Sequence, residues 1–180
     1  MAGVDEAGRG CLAGPVVAAA VILDENRPVH GLKDSKALSE KGRNELFQQI
    51  REKALAYSVA MTGAEEVDRI NILRATLLAM EKAVLDLPKK PDCVLIDGNA
   101  KTSLPIEQKA IVKGDSRCAS IAAASIVAKV TRDRIMTEME REYPGYGFLR
   151  HKGYPTKEHL GALRNLGPCP IHRKSFKGVL

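Results

Sequence analysis

The residues AGVDEAGRG (2–10) and the apolar run PVVAAAVIL (15–23) decide the fold class of this 180-residue chain. The first stretch is compatible with a short strand that ends at glycine. The second is continuously apolar, rich in valine and bounded by Gly14 and by Asp24. A run of this length and composition is typical of a buried strand. The two stretches therefore predict two strands, the second of them buried.

The rest of the chain alternates helical and strand patterns. Leu73, Leu77, Met80 and Val84, for example, recur at helical spacing. Helices are predicted over 39–53, 63–70, 71–87, 116–142 and 156–166, and further strands over 54–61, 93–96 and 107–112. This order predicts an α/β fold in which helices flank a mixed five-stranded sheet.

Length and composition predict one domain over residues 1–180, with an ordinary globular balance of 44% hydrophobic and 28% charged residues. No apolar run reaches the roughly 18 residues that span a bilayer. Asp5 and Glu6 lie where a signal peptide needs a basic and then an apolar segment. We therefore expect a cytoplasmic protein without a membrane partner, and nothing in the sequence demands more than a monomer. The four cysteines are at least 25 residues apart, which argues against a zinc site.

The positive charge is concentrated at the C-terminal end. The net charge is +6; residues 1–140 contain 20 basic and 20 acidic residues, whereas residues 141–180 contain 8 basic and 2 acidic ones. Tyr143, Tyr146, Phe148 and Tyr154 lie in the same segment. A basic segment with interleaved aromatic residues suits a polyanion that carries flat bases. A solvated helical tail with a few core aromatics explains the pattern equally well.

Four acidic residues follow strands or precede a helix. Asp5 and Glu6 lie at the end of the first strand, Asp97 ends an apolar strand, and Asp115 precedes the long helix. Ligand crevices form at strand ends in α/β sheets. Each acid also has a plain structural explanation: a solvated strand end for Asp5 and Glu6, a turn for Asp97, and a helix N-cap for Asp115. Adjacent strand residues point to opposite faces, so Asp5 and Glu6 can share a site only if the strand stops or bulges there.

Carboxylates that converge without a histidine or cysteine motif fit a site for a hard cation. Mg²⁺ and Mn²⁺ prefer oxygen ligands. Two such ions, about 3.5–4 Å apart, can activate water and stabilise the departing oxygen in phosphodiester hydrolysis. This chemistry is one hypothesis for the four acids, and the placement alone does not name a reaction.

Six ordered motifs closely resemble those of the bacterial ribonuclease HII family, a type 2 ribonuclease H family. They extend over nearly the whole chain and are AGVDEAGRG with LAGPVV (2–10 and 12–17), LKDSK (32–36), IDGN (96–99), KGD with SIAAASIVAKVTRD (113–115 and 120–133), HKGYPT (151–156) and HRKSF (172–176). The resemblance implies a ribonuclease H-like fold with a helical C-terminal extension. It divides the chain into a catalytic core over about 1–143 and a basic helical segment over about 144–180.

The resemblance also implies an activity. Family members cleave the RNA strand of RNA/DNA hybrids and nick duplex DNA 5′ of single embedded ribonucleotides, leaving 3′-hydroxyl and 5′-phosphate ends. It implies that Asp5, Glu6, Asp97 and Asp115 are the catalytic, metal-binding carboxylates, with Mg²⁺ or Mn²⁺ as the cofactor. The expected partners are RNA/DNA hybrids and ribonucleotide-containing DNA, and no protein partner is predicted.

The same resemblance assigns the nucleic-acid contacts. The backbone of Gly8-Arg9-Gly10 would contact the 2′-hydroxyl, the group that distinguishes RNA from DNA. Tyr154 would stack on the sugar of the next deoxynucleotide, and Lys36 would contact a phosphate.

Three other functions compete with this interpretation. A ribonuclease HIII-type enzyme needs an extra N-terminal domain for which the sequence has no room. A non-catalytic hybrid-binding protein would be supported by a missing carboxylate, but all four are present. A glycosidase with two carboxylates is expected to have an aromatic-lined cleft, and the chain has no tryptophan.

Overall fold

The computed structural model describes all residues, 1–180, and contains one mixed sheet of five strands. The strands are β1 (Ala2–Ala7), β2 (Val16–Ile22), β3 (Ala56–Thr62), β4 (Cys93–Asp97) and β5 (Glu107–Ile111), in the spatial order β3-β2-β1-β4-β5. β1 pairs antiparallel with β2, as does β2 with β3, whereas β4 runs parallel to both β1 and β5. The predicted mixed five-stranded sheet is therefore confirmed.

Six helices accompany the sheet. They are α1 (Glu40–Lys53), α2 (Ala64–Ile70), α3 (Ile72–Leu85), α4 (Ala119–Glu142), α5 (Phe148–His151) and α6 (Lys157–Leu166). Two short 3-10 turns, Ser35–Ala37 and Gly114–Ser116, precede α1 and α4. The sequence did not predict α5, whose single turn is too short to show a periodic pattern. No helix has the length and apolar character required to cross a membrane.

Helices cover both faces of the sheet. On one face, Ala18, Ala20 and Ile22 of β2 pack against α3. On the other, Ala19 and Val21 of β2 pack against α1 and α4. The period-two alternation of a strand sends successive side chains to opposite layers, so a strand covered on both faces must be continuously apolar, as the run 15–23 is.

α4 lies against β1 at unusually short range. A Cβ on Gly3 would come within 2.1 Å of the Ser120 carbonyl carbon and 2.3 Å of the Ile121 nitrogen, so only glycine fits there. The alanines of the first half of α4, Ala123, Ala124 and Ala128 among them, are fully buried in the same layer. Small residues on both elements therefore set how closely the long helix approaches the strand that carries Asp5 and Glu6.

The C-terminal segment packs against the loop after β1 and against the second half of α4 through a separate apolar cluster. Phe148 and Tyr146 lie in this cluster with Leu12, Met136 and Leu163. Their rings stack at 5.3 Å. These two aromatic residues are thus core residues, so the explanation of the tail aromatics as core is correct for both, and neither is available to stack on a base.

Candidate functional site

The parallel pairing of β1 with β4 brings two carboxylates together. The register aligns Val4 with Ile96, which places Asp5 and Asp97 one position further along adjacent strands. Both strands end here, since β1 stops at Ala7 and β4 at Asp97 itself. Asp5 is 5% exposed, and its Oδ1 accepts a hydrogen bond from the Glu6 amide at 2.7 Å. Asp97 therefore occupies a strand end beside Asp5, as the sequence predicted.

Of the two predicted alternatives for Glu6, a strand end and a bulge, the structure shows the strand end. β1 pairs regularly with β2 through Asp5, Glu6 and Ala7, so there is no bulge between the two acids. The strand ends only one residue later, which leaves the Glu6 side chain 13% exposed at the rim, 3.6 Å from the Arg9 guanidinium. The proximity of the strand end, and not a bulge, brings the two carboxylates near each other.

Asp115 lies in the 3-10 turn before α4 and is buried. It is not the N-cap of that helix, because α4 begins after Cys118. A hydrogen bond connects this turn to β4: the Gly114 amide donates to Asp97 Oδ1 at 2.6 Å. Lys36, on the other 3-10 turn, places its Nζ 3.8 Å from Asp115 Oδ2. Local turn geometry thus positions the fourth acid and the predicted lysine together.

The carboxylates perturb one another. Burial, and then the charges of Glu6 and Asp97, raise the pKa of Asp5 well above its usual range. Burial and Asp97 raise the pKa of Glu6, against the opposing effect of Arg9. Burial and the charges of Asp34 and Asp97 raise the pKa of Asp115. Excess negative charge of this kind is relieved by a cation.

The same electrostatics act on Lys36. Burial opposes its charge, yet Asp34 and Asp115 raise the pKa of Lys36. No group of three or more His, Cys, Asp or Glu side chains is arranged so that it could hold a metal ion. The structure brings the four acids into one electrostatic neighbourhood, but not into a ready-made three-ligand cage.

A cleft of about 230 Å³ is lined by Glu6 but not by the other three acids, Asp5, Asp97 and Asp115. The predicted nucleic-acid contacts all line it: Gly8, Arg9, Gly10, Lys36 and Tyr154, together with Glu6. Tyr154 is 40% exposed, and Lys129 Nζ lies 5.7 Å from the centre of its ring. One surface therefore unites the residues of three separate sequence motifs.

Sequence reasoning missed three polar residues of this cleft: Ser35, Ser125 and Lys129. The Ser125 hydroxyl lies 2.9 Å from the Ser35 hydroxyl and opposes the rise in the pKa of Asp5. Lys129, one helical turn along α4, bonds Asp133 at 2.7 Å. For Ser125 and Lys129, the sequence does contain a signal. They are four residues apart on the alanine-rich helix, which puts both polar side chains on one face.

The mixed five-stranded sheet with its flanking helices is a fold shared with solved ribonucleases H. The crystal structure of ribonuclease H2 from Pyrococcus horikoshii superposes with a TM-score of 0.83 at 28% identity, over 99% of this chain and 94% of that one. The fold class is thus that of a ribonuclease H-type nuclease.

The family follows from sequence comparison. The model of the family "Ribonuclease HII" matches residues 2–179. Ribonuclease HII of Vibrio vulnificus is 57% identical over 99% of this chain and 86% of its own length. Ribonuclease HII 1 of Methylibium petroleiphilum is 58% identical over 99% of this chain and 90% of its own length. The chain belongs to the ribonuclease HII family and is a ribonuclease H enzyme.

Proposed function

We propose that this enzyme nicks duplex DNA on the 5′ side of a single embedded ribonucleotide, besides cleaving longer RNA/DNA hybrids, and that it uses divalent ions to do so. One observation carries the proposal: a single cleft is lined by Glu6, the Gly8-Arg9-Gly10 backbone, Lys36 and Tyr154. That cleft places one of the four acids beside groups that can identify a ribose.

The donor set supports a divalent cation. Asp5, Glu6, Asp97 and Asp115 offer only oxygen, which Mg²⁺ and Mn²⁺ prefer. Mg²⁺ keeps several waters and needs only one or two protein carboxylates, so the absence of a three-ligand cage does not conflict with this chemistry. A bound ion would lower the pKa of its water and neutralise charge on the phosphate. Asp5, Glu6 and Asp97 are the principal ligands in this proposal, and Asp115 is the fourth and supports a second ion.

The two glycines of the Gly8-Arg9-Gly10 segment are required for different reasons. Gly8 has a φ of +94°, and a Cβ there would lie 2.0 Å from Arg132 Nε, so packing and conformation both require glycine. Gly10 is exposed, and a Cβ there would meet nothing within 4 Å. Neither packing nor backbone strain accounts for glycine at this position. Close approach of a substrate to the backbone does account for it, and the 2′-hydroxyl is the group that such an approach can recognise.

Tyr154 and Lys36 supply the remaining contacts in this proposal. The half-exposed ring of Tyr154 faces the cleft and offers a flat surface for the sugar of the deoxynucleotide that follows the ribonucleotide. The Lys36 side chain is 76% exposed and beside Asp115, where it can hold a phosphate near the acids. Phosphate contacts give affinity, whereas the 2′-hydroxyl gives specificity.

The test uses a labelled DNA duplex with one ribonucleotide, incubated with Mg²⁺ or Mn²⁺ beside an all-DNA duplex and a chelator control. We expect metal-dependent nicking only at the 5′ side of the ribonucleotide. Asp5→Asn and Asp97→Asn should each abolish nicking while the duplex is still bound. Cleavage of the all-DNA duplex, or full activity in both variants, contradicts the proposal.

A further inference from the structure

Two arginines lie in the interior without any acidic partner. Arg132 of α4 is 1% exposed and Arg173 of the C-terminal segment is fully buried. Neither takes part in any of the salt bridges of the structure, whose basic members are Arg9, Lys36, Lys41, Arg69, Lys129 and Arg150. Burying a charge is costly unless it is paired or fully hydrogen-bonded, so each guanidinium must find its partners elsewhere.

Those partners are backbone carbonyls of two loops beside the cleft. Arg132 donates to Ala13 O at 2.9 Å, to Pro15 O at 3.0 Å and to Lys152 O at 2.8 Å. Arg173 donates twice to Gly14 O, at 3.1 and 2.8 Å, and to Arg9 O at 2.9 Å. Arg132 thereby connects the loop after β1 with the residue two positions before Tyr154. Arg173 holds the carbonyl of the central residue of the Gly8-Arg9-Gly10 segment.

The backbone of the same loops completes the connection. The Leu12 amide donates to Gly153 O at 2.8 Å, and the Arg173 amide donates to Leu12 O at 2.8 Å. A Cβ on Gly153 would come within 2.6 Å of Ala13 O. The segment that carries Tyr154 and the segment that follows Gly10 are therefore in direct contact, with the two guanidiniums filling the space that remains.

The geometry points to Arg132 and Arg173 as positioning residues that fix the separation between the Gly8-Arg9-Gly10 backbone and Tyr154, and thereby select a single ribonucleotide followed by DNA. The inference rests on the proposed function, because it concerns how the same cleft recognises the RNA-to-DNA junction. A junction must satisfy both elements at once, whereas an uninterrupted hybrid offers a ribose at every position. Misplacement by about 1 Å can cost about a hundredfold in rate when groups must act together.

The experiment compares Arg132→Lys and Arg173→Lys with the wild-type enzyme on two substrates. One is a duplex with a single ribonucleotide, and the other is a continuous RNA/DNA hybrid. Lysine retains the charge but cannot reproduce the fixed fork of three hydrogen bonds. Arg74→Lys is the matched control, because Arg74 is exposed on α3, on the opposite face of the sheet. The ratio of the two kcat/KM values is the readout, since it does not depend on the fraction of folded enzyme.

We expect each variant to lose about ten- to a hundredfold on the single ribonucleotide and less than about threefold on the hybrid. We also expect the loss from Arg132→Lys to shrink in a Tyr154→Ala background, because residues that act as one unit are not additive. Equal losses on both substrates, or losses that multiply in the double variant, overturn the inference. Wild-type enzyme that cleaves the hybrid but not the single ribonucleotide overturns the proposed function and the inference together.

Discussion

Replacing Gly3 by alanine should strongly destabilise the protein, and the structure gives the magnitude. The new Cβ would lie 2.1–2.3 Å from the Ser120 carbonyl group and the Ile121 nitrogen. These are backbone atoms of α4, so no side chain can rotate away and the whole helix must move. Overpacking in a core costs about 1–3 kcal/mol and occasionally more. Because the obstacle is rigid, we expect about 3 kcal/mol, which lowers the Tm of a chain of this size by about 6–12 °C.

Thermal unfolding followed by circular dichroism, in chelator, measures this effect against two matched substitutions. Gly10→Ala meets no atom within 4 Å, so its Tm should remain within about 2 °C of wild type while nicking at a ribonucleotide is lost. Gly161→Ala lies within α6 and also meets nothing within 4 Å. Alanine there should add about 0.5–1 kcal/mol through helix propensity. A Gly3→Ala variant that melts within 2 °C of wild type would refute the close-packing argument.

Four further outcomes can be measured on the same protein. Burial lowers the pKa of His172 to about 4, so this residue is neutral in the fold and stability should fall as the pH drops from about 6.5 towards 4. His172→Gln should show a smaller fall over that range, and an equal fall contradicts the assignment. Mg²⁺ or Mn²⁺ should raise the wild-type Tm by preferential binding to the folded state, and an undiminished rise in Asp97→Asn argues against that ligand. Tyr154→Ala should slow nicking at a single ribonucleotide by roughly tenfold, as expected for a lost stacking surface; an unchanged rate returns Tyr154 to a packing role. Lys36→Ala should weaken duplex binding and reduce the slope of log K against log salt by about one; an unchanged slope removes the phosphate contact.

The hydrophobic pattern and the order of the motifs were sufficient to predict the sheet and the position of acidic residues at its strand ends. The continuous apolar run 15–23 predicted a buried strand, and every residue of β2 is buried. Asp97 was predicted at a strand end, and the parallel register places it beside Asp5. Each of these features depends on a short continuous stretch of residues, so it can be predicted from the sequence alone.

The features that the sequence did not reveal depend on contacts between distant segments. The basic tail looked equally suited to nucleic acid and to ordinary packing, and only the fold shows that Phe148 is core while Tyr154 faces the cleft. Likewise, Arg132 and Arg173 look like two more surface cations in the sequence. In the sequence, the carbonyls that they contact in the loop after β1 are 117–119 residues away from Arg132 and 159–164 residues away from Arg173. No periodic pattern can encode such pairings.

The buried arginines do not pair with the buried carboxylates of the site, and the repulsion between those carboxylates therefore destabilises the metal-free fold. Asp5 and Asp97 have no ion-pair partner, although two buried guanidiniums serve the neighbouring loops. An arginine fork on Asp5 would lower the pKa of that carboxyl and stabilise the fold, but a cation would then have to displace the arginine before it could bind. Because both guanidiniums donate to backbone carbonyls, neither occupies Asp5 or Asp97. In the proposed metal-dependent function, a divalent ion bound there would relieve the repulsion between the carboxylates. The charges that weaken the metal-free fold would then strengthen the binding of the ion, and ion binding would stabilise the folded state.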